Sequence, residues 1–207
     1  MNKTEQFVDK NIVRIAFWTS AILVTLVVFV CAAFGQEKPD AFVHVQDFSK
    51  AGPRQQTIVN TMDFIRGYDD AKCAAWFPAL KGGIKSLEGD ASVPDTVLIG
   101  HGKITPGSIV AFTGSNPKQT DLPVGVIVAF NDDSVFFTDI PGYNNGGFEG
   151  GTNQSRVLTV IHELGHMLDA TGIVDDFASQ DKVNANNDLV KKNCGATIKA
   201  AKQVKEF

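Results

Sequence analysis

The chain has 207 residues, 43% of them hydrophobic and 20% charged, which is ordinary globular usage and enough for one domain with a core. Its 19 Lys and Arg against 23 Asp and Glu give a formal net charge of -4. That balance leaves no excess of cations to line a phosphate backbone, so nucleic acid is not an expected partner.

Residues 1–36 differ in kind from the rest. Lys3, Lys10 and Arg14 precede a run from Ile15 to Gln36 that carries no charge. Two readings compete. A cleaved signal peptide would place Ala33 and Gly35 at the -3 and -1 positions of a cut before Gln36. An uncleaved anchor is supported by the length of the run, since roughly 20 apolar residues span a bilayer, with the basic end inside. A lipoprotein reading of Cys31 is disfavoured by the bulk of Val30. Both readings place residues 37–207 outside the cytoplasm, in secreted, periplasmic or membrane-anchored form, with membrane contact confined to the N-terminal segment. Setting Cys31 aside leaves Cys73 and Cys194, an even pair in a compartment where disulfides persist, and a bridge between them is expected. Two buried thiols are the other reading.

Along the chain, "AFVHVQDF" (41–48) reads as a first strand. "RQQTIVNTMDFIRGY" sets Ile58, Met62 and Ile65 at helical spacing, with Gly67 as a stop. "DDAKCAAWFPAL" puts Cys73, Trp76, Phe77 and Leu80 at i, i+3, i+4 and i+7, with Pro78 disturbing the last turn. From Pro94 to Ile140 the texture is that of strands: "DTVLIG", "GSIVAFTG", "PVGVIVAFN" and "SVFFTDI" are β-branched and aromatic runs parted by Gly, Pro, Asn and Asp. "PGYNNGGFEGG" (141–151) reads as a loop. In "GHG", His101 reads as a turn residue, and His44 as a strand residue.

A helix capped by Thr152 or Asn153 and stopped by Gly172 follows. Val157, Ile161, Leu164 and Leu168 make its apolar stripe, while Ser155, Thr159, His162 and His166 make another. The tail after Gly172 is polar, and Val183, Val190 and Cys194 suggest one last short helix. "NANND" (184–188) reads as a cap or turn there; an amide supporting the histidines is the other reading.

"TVIHELGHML" (159–168) carries the chemistry. Histidines four apart sit one turn above each other, so His162 and His166 can aim both imidazoles at one point. Zinc takes imidazole nitrogen at about 2.0–2.1 Å, and a catalytic site keeps one position for water. Glu163 is turned about 100° from His162. That sets its carboxylate beside the water, where it can act as general base.

These ten residues resemble the extended motif of the zincin metallopeptidases, with Thr159 three before the first His, uncharged inner positions and Leu168 two after the second His. The resemblance implies a twisted sheet ahead of the motif helix, whose edge strand forms one wall of a substrate cleft, and "SVFFTDI" is the candidate for that edge. An extended peptide adds to such an edge by main-chain hydrogen bonding. The third ligand departs from the familiar patterns. Asp169 and Gly172 stand where metzincins have Gly and His, and Glu206 is the only glutamate after the motif. Asp169 lies about 10 Å along the helix axis from His162. Asp175 and Asp176 follow the helix stop, where the chain can turn back, and aspartate in the third position resembles the aspzincin type. Asp176 is preferred, with Asp175 the alternative.

The expected fold class is therefore α+β: residues 37–207 as one small zincin-like domain, a twisted mixed or antiparallel sheet packed on the motif helix, and a short helical tail. The expected function is an extracytoplasmic peptidase with Zn2+ on His162, His166 and Asp176, Glu163 as base and a peptide or protein as substrate. The alternatives are a non-catalytic secreted protein in which a metal or the Cys73–Cys194 bridge holds the fold, and a solvated helix face that binds nothing.

Overall fold

Five helices and six strands make up the part of the chain that the computed structural model describes, residues 43–87, 97–105, 107–115, 126–177, 179–205 and 207. The N-terminal segment 1–36 lies outside the described residues. Among the described helices none is long and apolar enough to cross a membrane.

The first strand, β1 (His44–Ser49), leads into α1 (Gly52–Gly67), which starts on Pro53 and turns Ile58, Met62 and Ile65 inward as their spacing predicts. The next helix, α2 (Ala71–Trp76), is capped by Asp70, whose carboxylate accepts from the amides of Lys72 and Cys73 at 3.1 Å each. Pro78 interrupts it, and a separate helix, α3 (Leu80–Leu87), buries Leu80 and Ile84.

The sheet holds β1, β2 (Val97–Thr105), β3 (Ala111–Ser115) and β4 (Val126–Asn131) in the order β1-β2-β4-β3. Pairing is antiparallel between β1 and β2, parallel between β2 and β4, and antiparallel between β4 and β3, so the sheet is mixed. Side chains alternate across it. Val128 and Phe130 face the helices and the main core, while Ile127 and Ala129 join Val45 and Ile104 on the other face. The architecture is thus α+β, as expected.

His101 is a strand residue and not a turn residue. It sits in β2 between two glycines at which a Cβ would approach Ser49 O to 2.3 Å and Gln46 O to 2.6 Å, so the glycines of "GHG" let β1 lie close. Its ring nitrogens face Asp132 Oδ1 at 2.7 Å and Ala51 O at 3.0 Å.

"SVFFTDI" is not an edge strand. Residues 134–138 form turns, with the amides of Phe137 and Thr138 both donating to Ser134 O. Side chains capture this backbone locally: Ser134 Oγ donates to Asn131 O and accepts from the Phe136 amide, and Asn131 Oδ1 accepts from the Ile104 and Asp133 amides. Val135 and Phe136 are buried side by side, which a strand with one buried face does not allow. The edges of the described sheet are β1 and β3, and β3 is the one that packs against the motif helix.

The segment expected as a plain loop contains a small hairpin, β5 (Asn144–Asn145) and β6 (Phe148–Glu149). Gly146 and Gly147, at φ 58° and 92°, supply the two left-handed residues that such a tight turn requires.

The motif helix, α4 (Asn153–Met167), is capped by Thr152 and ends five residues before Gly172. Asp169 takes the left-handed conformation at φ 52°, and the Ala170 amide reaches back to Gly165 O at 2.9 Å, the closure of a Schellman-type turn. The last helix, α5 (Gln180–Ala201), is 22 residues long and not short, with a kink at Cys194. Its inner face reads poorly as apolar because it buries Asn186, Asn187 and Thr197 among Val190, Cys194 and Ile198. Cys194 is bridged to Cys73, which ties α5 to α2 with their Cα atoms 4.5 Å apart.

Candidate metal centre

Three ligand groups converge at the C-terminal end of α4. His162 Nε2 lies 3.1 Å from His166 Nε2, as the four-residue spacing predicts. Asp176 meets both: its Oδ2 is 2.9 Å from His162 Nε2 and its Oδ1 is 3.3 Å from His166 Nε2. One ligand atom from each residue falls within 4.8 Å of the others, and the group can hold a metal ion.

The chain reaches this arrangement because α4 stops early. After the turn at Asp169, Ile173 packs over Gly165, where a Cβ would stand 3.1 Å from Ile173 Cγ1, and the backbone of Val174 is then held by Asn186 of α5. The small residue inside the motif thus has a steric reason to be small. Asp176 follows closely on Val174.

Two asparagines of α5 complete the surroundings. Asn187 Oδ1 lies 2.8 Å from His162 Nδ1; an amide oxygen only accepts, so Nδ1 carries a proton and Nε2 is left for the cluster. Asn186 accepts from the Val174 amide at 3.1 Å and donates to Val174 O at 2.8 Å and to Asp176 Oδ2 at 2.9 Å. "NANND" is therefore helical, and two of its three asparagines, Asn186 and Asn187, touch the site and do not cap a turn.

The helix face that bears the motif is not solvated. His162 is 6% exposed and Glu163 8%, and burial has visible electrostatic consequences. Burial works against protonation of His162, but the hydrogen bond it donates to Asp176 and the charges of Glu163 and Asp176 outweigh it and raise the imidazole above its usual range. Burial likewise works to raise Asp176, yet the hydrogen bonds from His162 and His166 hold its carboxyl well below the usual carboxylate range. For Glu163 burial dominates, and its carboxyl is raised despite the His162 charge and a hydrogen bond from Thr113.

Glu163 is outside the converging group and turned towards the sheet. Thr113 Oγ1 on β3 lies 2.7 Å from its Oε2, and 3.2 Å from its backbone oxygen. No motif in the sequence marks Thr113; its only signal is its place in a β-branched run.

The remaining candidates fall elsewhere. Asp175 is exposed and accepts from the Phe177 amide at 3.2 Å, Asp169 is exposed at the helix end, and His44 opens β1. Of the two aspartates after the helix, Asp176 is the one that the fold brings to the histidines. No protein-family model, curated protein or solved structure matches this chain.

Proposed function

We propose that the protein is an extracytoplasmic zinc-dependent peptidase of zincin-like fold, with His162, His166 and Asp176 holding the metal. The observation that carries this reading is the convergence of two histidines of α4 with an aspartate from the segment after it, beside a fourth, non-converging carboxylate next to His162. The donor set fits zinc, for two imidazole nitrogens and one carboxylate leave a fourth position for water. Ligand atoms on a tetrahedral zinc stand about 3.3 Å apart, given metal-ligand distances of about 2.0–2.2 Å. The separations of 2.9–3.3 Å in this structure are close to that.

Zinc bound there supplies a water acidic enough to ionise near neutrality and polarises the scissile carbonyl. The chain's own residues supply the rest. Glu163 takes the proton of the attacking water and passes it to the leaving amine, a role suited to a carboxylate whose burial has raised its basicity. His166 and Asp176, with side chains 17% and 15% exposed, leave the centre open to solvent on one side, which favours a catalytic over a closed structural site. The edge strand β3, joined to Glu163 through Thr113, takes the place that "SVFFTDI" was expected to fill, and an extended peptide adds there by main-chain hydrogen bonding. The Cys73–Cys194 bridge supports an oxidising compartment.

Metal analysis of the purified protein, with a broad peptide-library digest beside it, tests the reading. Glu163→Gln is expected to keep zinc and abolish cleavage. Loss of zinc in that variant overturns the role given to Glu163, and zinc without any turnover in the unaltered chain favours a non-catalytic metal protein.

A further inference from the structure

We propose that Asn186 and Asn187, neighbours on α5, are positioning residues of the metal centre with opposite polarity: Asn187 orients His162 by accepting a hydrogen bond, and Asn186 fixes Asp176 by donating one. The inference rests on the reading of His162, His166 and Asp176 as metal ligands, and not on peptide hydrolysis.

The polarity of Asn186 follows from its backbone partners. The Val174 amide can only donate and the Val174 carbonyl can only accept, so the side chain presents Oδ1 to the first at 3.1 Å and Nδ2 to the second at 2.8 Å. Nδ2 is then the atom that meets Asp176 Oδ2 at 2.9 Å. One side chain thus clamps the returning segment to α5 and aims its carboxylate. The polarity of Asn187 follows from its partner's task. His162 can offer Nε2 to a metal only if Nδ1 keeps the proton, and Nδ1 faces Asn187 Oδ1 at 2.8 Å.

Both asparagines are buried, Asn186 completely, and successive residues on a helix point about 100° apart, so one turn of α5 serves two ligands that come from different segments. Apolar packing gives no reason for an amide at Asn187, and Asn186 meets Asp176 in addition to the Val174 backbone groups it holds.

Zinc affinity, measured on the full chain by competition with a chromophoric chelator, tests this with four variants. Asn187→Leu removes the acceptor, and affinity is expected to fall about 10–100-fold, as for other residues that support a metal ligand. Asn187→Asp keeps an acceptor, and affinity is expected to stay at or above that of the unaltered chain. Asn186→Asp replaces the donor by a carboxylate facing Asp176, and affinity is expected to fall at least as far as in Asn186→Leu. Unfolding with chelator present checks that each variant is folded. A purely structural role predicts no such crossing of sign.

Equal loss in Asn187→Asp and Asn187→Leu, or full affinity in Asn186→Asp, overturns the proposal. Failure of the unaltered chain to bind zinc overturns it together with the metal reading. The expected pattern of affinities without cleavage of any peptide upholds it and overturns only the peptidase reading.

Discussion

Thr113 Oγ1 stands 2.7 Å from Glu163 Oε2, so a hydroxyl on an edge strand of the sheet is a direct partner of the buried carboxylate on the motif helix. The contact couples two elements that the sequence separates by fifty residues. It also fixes which way the carboxylate faces, since β3 packs against α4.

Thr113→Val keeps the shape and removes the donor. Leaving a buried acceptor short of a partner costs about 1–3 kcal/mol, and urea unfolding should show a loss of that order. Thr113→Ser restores the hydroxyl and should recover most of it. Zinc content is expected to be unchanged in both variants, while cleavage falls in the valine variant; a valine variant as stable and active as its parent would count against the contact.

Removal of each aspartate after the helix separates the two candidates for the third ligand. Asp176→Ala should weaken metal binding by more than the roughly 10–100-fold that loss of a supporting residue costs. Asp175→Ala should bind as the parent does, because Asp175 is exposed and its carboxylate accepts from the Phe177 amide, away from the histidines. Isothermal titration with zinc is the measurement.

The metal-free and metal-loaded forms should respond to pH in opposite ways. His162 and Glu163 both have folded-state pKa values raised above the ordinary 6.5 and 4.5. A raised value gives stability that is complete below the ordinary pKa and is lost as pH rises through the folded one. The metal-free protein should therefore lose stability on going from about pH 6 to above neutrality. Metal needs neutral imidazole, so its binding strengthens over the same range. Chemical unfolding at several pH values, with chelator and with zinc, should give curves of opposite slope, and parallel curves would rule this account out.

Asp70 predicts a second pH effect at the far end of α5. Its carboxylate caps α2 and also accepts from Thr197 Oγ1 at 3.0 Å and the Thr197 amide at 3.2 Å. Although burial acts to raise it, these bonds hold its pKa below the ordinary 3.8. A lowered value gives stability that is present above the ordinary pKa and lost as pH falls through the folded one. Asp70→Ala should cost about 1–2 kcal/mol at neutral pH, as loss of a helix cap does, and the difference from the parent should shrink below about pH 4. Thermal unfolding at pH 7 and pH 3 measures both.

The parts of this site that are local in sequence were the legible ones. Ten residues, "TVIHELGHML", specify two ligands and a carboxylate because helical periodicity alone brings them together. Asp176 was within reach because the chain must turn back after a helix stop, although that stop comes at Met167 and not at Gly172. Thr113 is out of reach of the sequence, and for "NANND" the sequence offers a supporting amide only as the second reading, since it is the sheet order and the packing of α5 on α4 that bring Thr113, Asn186 and Asn187 to the motif. α5 itself looked short because its inward side chains include amides that are satisfied by the site, and hydropathy spacing does not register a polar side chain that has a buried partner. "SVFFTDI" misled for the reverse reason. Its composition suits a strand, but Asn131 and Ser134 take up the backbone groups a ladder would need.

The two histidines are unequally buried, and an ion held between them would be reached from the less buried one. His162 is shut in by α5, while His166 and Asp176 border solvent. A chelator competing for an ion held there should meet it on the side of His166 and Asp176, the more exposed of the three groups. For an ion held there, the rim of the centre would govern exchange, and its floor how firmly the ion is kept.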